Sequence, residues 1–151
     1  HVHAYVLGEH GDSEVLTWSL VSVGGIPLDQ FCKLRSLSVC EEDRQIIDHQ
    51  VRNAAYHIIQ GKGSTYYGIG SALARITEVI LRDQRAILTV CTPVRDVFGM
   101  HDVTISLPHL VGGQDPLTTL QPPLNDEESQ ALQASAQLIH DIIVELNTHI
   151  S

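Results

Sequence analysis

"RAILTVCTPVRDVFGMHDVTISLPHLVGGQDPLTTLQ" (residues 85–121) is the stretch that decides the fold. Three runs inside it, 85–93, 101–108 and 117–121, are short, rich in β-branched residues and broken by Pro or Gly. Runs of that kind suit antiparallel strands joined by turns. No helical segment stands between them, whereas a parallel sheet needs a crossover helix between successive strands. Helical patterns lie before and after the strands instead of alternating with them. The chain therefore reads as α+β, an antiparallel sheet with long flanking helices.

Working outward, residues 41–60 carry three acids in a first turn, which suits the positive end of a helix dipole. Ile46, Ile47, Val51, Ala54, Ala55, Ile58 and Ile59 then recur at steps of three and four, predicting one buried stripe. Gly61 and Gly63 are expected to stop this helix. A second is predicted from about Thr65 to Arg82, with Ile69, Leu73, Ile76, Val79 and Ile80 on its apolar side. Asn125 followed by Glu128 matches an N-cap and its reciprocal partner, opening a last helix to about Asn147. Its expected inner face is Leu132, Ala136, Ile139, Ile143 and Leu146. At the other end, Val2 to Leu7 reads as a strand ended by Gly8. A turn and a helical stretch containing Trp18 follow, then a break at Gly24, Gly25 and Pro27.

The 151 residues suffice for one domain with a sizeable core. A 43% hydrophobic share suits a soluble globular protein, and no apolar run is long enough to span a bilayer. Position 1 is His and the only methionine is Met100, so the chain is not expected to begin where a gene product begins. Nine Lys and Arg against 18 Asp and Glu give a net charge of -9, which repels phosphate backbones and argues against nucleic acid. Cys32, Cys40 and Cys91 are odd in number and form no CxxC pair, so they are read as reduced thiols in apolar packing. His1 and His3 could share a strand face. A zinc site needs three or four converging ligands, though, and no partner stands at a familiar spacing, so no metal is expected.

The residues that invite chemistry lie in "HAYVLGEHGDSEVLTWS" (3–19). Imidazole gives or takes a proton near neutrality, and Gly8 and Gly11 would let the backbone turn tightly and a small ligand approach the His10 ring. By its residues alone, His10 is equally readable as a surface turn residue beside Asp12. A hydrolase with Ser13 as nucleophile is disfavoured, because the GxSxG elbow is absent and no orienting acid is identifiable. "GKGSTYYGIG" (61–70) is glycine-rich but follows no strand, as a dinucleotide fingerprint would, and its "GK" lacks the preceding glycine that a phosphate loop requires.

"VHAYVLGEHGDSE", the following Trp and "GGIPL" resemble the catalytic segment of the L-lactate dehydrogenases. "GKGSTYYGIGSALARI" and "LNDEESQALQASAQLI" are similar to later segments of that family, so the resemblance covers essentially the whole chain. It implies the substrate-binding carboxy-terminal domain over residues 1–151. The NAD-binding Rossmann half is expected in sequence outside this chain, so no cofactor is expected to bind these residues tightly. His10 matches the histidine that protonates the pyruvate carbonyl oxygen and, in reverse, takes the hydroxyl proton of lactate. The aspartate that orients that ring, and the arginines that grip and polarise the substrate, belong to the other half. Thr65 matches a threonine lining the substrate pocket; by the residues alone it could equally be the N-cap of the next helix. His3 matches a position that in many bacterial members helps bind the activator fructose 1,6-bisphosphate at a subunit interface.

The resemblance further implies NAD as cofactor, pyruvate and lactate as substrates, a homotetramer, and a cytoplasmic enzyme without membrane or nucleic-acid partners. The malate dehydrogenases share the "HGD" core. Lactate is favoured because Glu9 precedes His10 where malate enzymes commonly have another glycine, and because of Thr65. A malate or other 2-hydroxyacid dehydrogenase is one rival reading. A non-catalytic assembly module is another, and the isolated 151 residues are expected to be inactive.

Overall fold

Backbone hydrogen bonding divides the amino-terminal segment that periodicity presents as one strand. In the computed structural model, which describes residues 1–96, 98, 99, 101–113 and 117–150 (the side chains of His149 and Ile150 excepted), it forms two strands in different sheets. β1 (Val2–His3) pairs antiparallel with β4 (Ser22–Val23), and β2 (Val6–Leu7) with β3 (Val15–Leu16). The expected helical stretch after the turn is thus a strand, β3, followed by a single 3-10 turn at Trp18–Leu20. Val15 and Leu16 are apolar neighbours drawn into pairing with β2, and that tertiary pairing overrides the local helical reading. Gly24 and Gly25 both take positive φ, 59° and 82°, making the tight turn that pairs β4 with β5 (Ile26–Pro27). The sheet order is β1-β4-β5, which leaves β1 at an edge. A short helix, α1 (Leu28–Arg35), follows and ends at Ser36 in the left-handed conformation.

The remaining elements are α2 (Glu41–Lys62), α3 (Tyr67–Leu81), β6 (Ala86–Val94), β7 (Val103–Val111), β8 (Thr118–Thr119) and α4 (Asp126–Ile150). The three predicted strands are all present, hydrogen-bonded in the order β6-β7-β8. The architecture is α+β, with three small sheets in place of the single expected one. The chain separates into two compact units: residues 1–37, 89–108 and 119–151 form the first, and 38–88 with 109–118 the second.

The first unit holds the main core. In β7, Val103, Ile105 and Leu107 are buried at every second position, the signature of a strand with one face inward. They pack with Leu7 and Val15 of the β2–β3 hairpin and with Leu132 and Ala136 of α4. Of the expected inner face of α4, Leu132 and Ala136 are buried and Leu146 is exposed, because the helix runs on past the core. The predicted cap is present: the Glu128 N–H donates to Asn125 Oδ1 at 2.8 Å, and the Asn125 N–H to Glu128 Oε2 at 3.4 Å. Glu128 is buried and also accepts from the N–H of Ser19 at 2.8 Å and from its hydroxyl, tying the 3-10 turn to the helix start.

In the second unit, α2 runs through Gly61 and ends at Gly63, where φ is 85° and the N–H donates to the Ile59 carbonyl at 2.7 Å. Its apolar stripe is formed as the spacing predicts but is not buried: Ile46, Ile47, Val51, Ile58 and Ile59 are all exposed. On α3, Val79 is buried, whereas Ile69, Leu73 and Ile80 are exposed. All three cysteines are free thiols, and the apolar packing expected of them holds only for Cys32, which is buried; Cys40 and Cys91 are exposed. Cys40 caps α2, its N–H and Sγ lying 2.9 Å and 3.1 Å from Asp43 Oδ2.

Candidate active site

His10 sits on an exposed bend between β2 and β3. The backbone on its amino side is fixed. Gly8 is buried, has φ of 93°, and exchanges two hydrogen bonds with Ser106 of β7 at 2.9 Å and 2.8 Å. A Cβ on Gly8 would lie 2.6 Å from Ser135 Oγ, so a glycine is needed both for the turn and for the approach to α4.

The bend itself is closed by a polar network. The Glu9 N–H donates to Ser135 Oγ at 2.8 Å. The Glu9 carboxylate turns back over the loop to accept from the Ser13 N–H at 3.2 Å and from the Ser13 hydroxyl. Ser13 Oγ also lies 3.1 Å from Ser135 Oγ, and the Glu14 N–H donates to the Gly11 carbonyl at 3.1 Å. A Cβ on Gly11 would run into the Glu9 carboxylate, so the second glycine makes room for it. Below the bend, the buried Thr17 donates its N–H and its hydroxyl to the Tyr5 carbonyl at 3.1 Å and 2.9 Å. The loop is held from within, and the imidazole between its glycines is left at the surface. An exposed ring on a braced turn can exchange a proton with a small molecule docked against it.

Ser13 is engaged with Glu9 and Ser135, which removes the geometric basis for a serine nucleophile activated by His10. Sequence reasoning passed over Ser135, the residue on which the bend rests. A small hydroxyl beside Ala136 on the inward stripe of α4 was the available sign.

Thr65 lies in the second unit, exposed, in the connection between α2 and α3. The N-cap position of α3 is occupied by Tyr66, so Thr65 is not the cap that its neighbourhood suggested. It lines a cavity of about 390 Å³ with Ile58, Lys62, Tyr66 and Tyr67. Lys62 Nζ stands 3.9 Å from the Tyr66 ring centroid and 4.6 Å from that of Tyr67, a cation over two aromatic faces. His3 is exposed on the edge strand β1, paired with Ser22. Among the described residues, no three His, Cys, Asp or Glu side chains form a group that could hold a metal. α3 follows the α2 loop and no strand, so residues 61–70 do not form the strand–turn–helix fingerprint.

Residues 1–149 match the family model described as the lactate/malate dehydrogenase, alpha/beta C-terminal domain. An L-lactate dehydrogenase of Geotalea daltonii is 58% identical over 147 residues, covering 97% of this chain and 47% of that protein. One from Thermus aquaticus is 51% identical over 138 residues, covering 91% of this chain and 44% of that protein. Among solved structures, the minor L-lactate dehydrogenase of Enterococcus mundtii superposes with a TM-score of 0.88 at 33% identity, over 95% of this chain and 46% of that one. The chain spans about half the length of the curated relatives it matches. With its α+β fold shared with solved lactate dehydrogenases and its sequence matched from residue 1 to 149, the chain belongs to the lactate/malate dehydrogenase family, as its carboxy-terminal domain.

Proposed function

We propose that these residues are the carboxy-terminal half of a cytoplasmic, NAD-dependent L-lactate dehydrogenase that interconverts lactate and pyruvate. His10 is its proton-transfer group. The observation that carries this reading is the braced bend: a network through Glu9, Ser13 and Ser135 holds the loop and presents the imidazole outward. Similarity to L-lactate dehydrogenases at 58% and 51% identity supports the choice of substrate class. NAD, when bound, supplies the hydride acceptor, and it is held by the half of the protein outside these residues. Within this chain, His10 takes the hydroxyl proton of lactate at a ring nitrogen and returns it to the carbonyl oxygen of pyruvate. Thr65 offers a hydroxyl and a methyl to the small 2-oxo acid.

His3, exposed on an edge strand, is proposed to meet a phosphate of fructose 1,6-bisphosphate where subunits of a homotetramer adjoin. The exposed apolar faces of α2 and α3 support an assembly of that kind.

The test is steady-state kinetics of the complete enzyme. His10→Asn is expected to lower kcat in both directions by roughly 10²–10⁴-fold, the range for a lost general acid–base. His3→Ala is expected to raise the activator concentration required and to leave maximal turnover unchanged. Near-normal kcat in the His10 variant would return that residue to an ordinary turn. The same enzyme turning over malate in preference to lactate would move the chain to the malate branch.

A further inference from the structure

The loop that carries Thr65 is short and lightly tied. Ser64 and Thr65 alone separate the left-handed Gly63 that ends α2 from Tyr66, the N-cap of α3. Tyr66 accepts the Gly70 N–H at its carbonyl, at 2.9 Å, but its side chain makes no bond to the helix it opens. A helix start without a side-chain cap leaves the direction of its entry to other contacts.

Here that contact is Lys62, the last residue of α2. Tyr66 and Tyr67 adjoin in sequence, and successive side chains on a helix do not face each other. Tyr66 stands outside the helix, at φ -155° and ψ -32°, and its ring centroid comes to 4.8 Å from that of Tyr67, with the planes tilted by 57°. The Lys62 ammonium lies 3.9 Å from the first centroid and 4.6 Å from the second, so one cation meets both rings. Tyr67 is 75% exposed, so core packing does not hold its ring in this arrangement. The contact closes residues 62–67 into a loop around Thr65, and Lys62, Thr65 and both tyrosines border the same cavity.

We propose that Lys62 is a positioning residue that sets substrate specificity. By gathering Tyr66 and Tyr67 at its ammonium, it fixes the loop on which Thr65 stands and so limits the length of the 2-oxo acid side chain admitted beside Thr65. The inference rests on the reading of Thr65 as a substrate contact. Lys62 acts through the loop and takes no part in the proton transfer at His10. A change at position 62 therefore shows in the choice between substrates and not in the chemical step.

Steady-state kinetics of the complete enzyme with pyruvate and with 2-oxobutyrate, one methylene longer, test it. Lys62→Met keeps an unbranched side chain and removes the charge. It is expected to lower the ratio of kcat/KM for pyruvate over 2-oxobutyrate by roughly 2–5-fold, the scale of a cation–aromatic contact at an exposed site, through KM more than kcat. Lys62→Arg supplies a cation that also stacks on aromatic rings and is expected to restore the ratio. Thr65→Ala should lower the ratio as well, and Lys62→Met added to it should change it no further. Lys62 is exposed, and circular dichroism monitors folding of each variant. A lysine that served only the negative end of the α2 dipole would shift the melting temperature and leave the ratio alone. A ratio altered by Thr65→Ala but not by Lys62→Met would overturn the role of Lys62 and leave Thr65 a contact. Independent effects of the two changes in the double variant would also overturn it, because Lys62 would then act apart from Thr65. A ratio that Thr65→Ala does not alter would remove the contact itself, and the role of Lys62 with it.

Discussion

The hydroxyl of Ser135, buried on α4, accepts the backbone N–H of Glu9 at 2.8 Å, one residue before His10. That bond ties the bend that carries the imidazole to the longest helix of the described fold. Replacing Ser135 with Ala leaves the Glu9 N–H without its partner and removes one contact of Ser13. The expected cost is about 1–3 kcal/mol, that of a buried donor left unsatisfied. Urea unfolding of the 151-residue chain measures it. In the complete enzyme, Ser135→Ala should lower kcat and leave the reaction dependent on His10. A stability within ~0.3 kcal/mol of wild type would show that the bend does not rest on this bond.

Gly8 faces the same serine from the other side. Its φ of 93° is hostile to a side chain, and a Cβ would meet Ser135 Oγ at 2.6 Å and Ser135 Cβ at 3.2 Å. Gly8→Ala therefore combines backbone strain of about 1–3 kcal/mol with a clash against a packed helix. In the double variant Gly8→Ala/Ser135→Ala the hydroxyl is gone but the φ is not. The double variant is expected to cost less than the two single changes added together, with a coupling above ~0.5 kcal/mol. Strict additivity in denaturant midpoints would show that the two residues do not meet as described.

These two relationships mark what sequence could and could not convey. The capping pair Asn125 and Glu128, the three middle strands and the start of α2 are local, carried by residues within a few positions of each other, and all were legible. His10 was legible as a candidate from its glycine neighbours. Its bracing was not, because Ser135 lies 126 residues from Glu9 and only the packed fold joins them. The split of residues 2–7 between two sheets escaped for the same reason, since pairing partners at 15–16 and 22–23 decide it. Gly61 looked like a stop and is helical, because capping depends on where the chain turns left-handed, and here that is Gly63.

Cys40 offers a test of local electrostatics. A hydrogen bond with Glu42, together with the Asp43 side chain, raises its thiol above the ordinary range, although the Asp43 backbone contact works the other way. The thiol hydrogen bond and that of the Cys40 backbone lower the carboxyl of Asp43. The thiolate is the reactive form, so Cys40 should alkylate slowly for an exposed cysteine near pH 8. Glu42→Gln is expected to speed modification by iodoacetamide, read by peptide mass spectrometry; an unchanged rate would dismiss the carboxylate's influence. The signs for folding differ between the two groups. The raised Cys40 favours the fold below pH 9 and loses that contribution as pH rises through its folded value. The lowered Asp43 favours it above about pH 4 and loses that contribution as pH falls through its own folded value.

The apolar stripes of α2 and α3 carry the last prediction. The periodicity that marks a buried face is present in both helices, yet Ile46 is 56% exposed, Ile69 56% and Leu73 57%. Contiguous apolar surface of this kind is rare on a protein that works alone and drives association when left uncovered. The purified 151-residue chain is therefore expected to self-associate, with a light-scattering mass that rises with concentration above 16.6 kDa. Because Ile69 and Leu73 contribute little to the interior, Ile69→Lys/Leu73→Lys should leave the melting temperature of the chain nearly unchanged while lowering its mass toward the monomer. The same pair in the complete enzyme should weaken its assembly or its activity, since a charge would then face whatever covers α3. A wild-type chain that stays monomeric across the concentration range would mean that these stripes are tolerated in water. The expectation would equally fail if the double-lysine variant associated as strongly as the wild type, because the contact would then lie elsewhere on the surface.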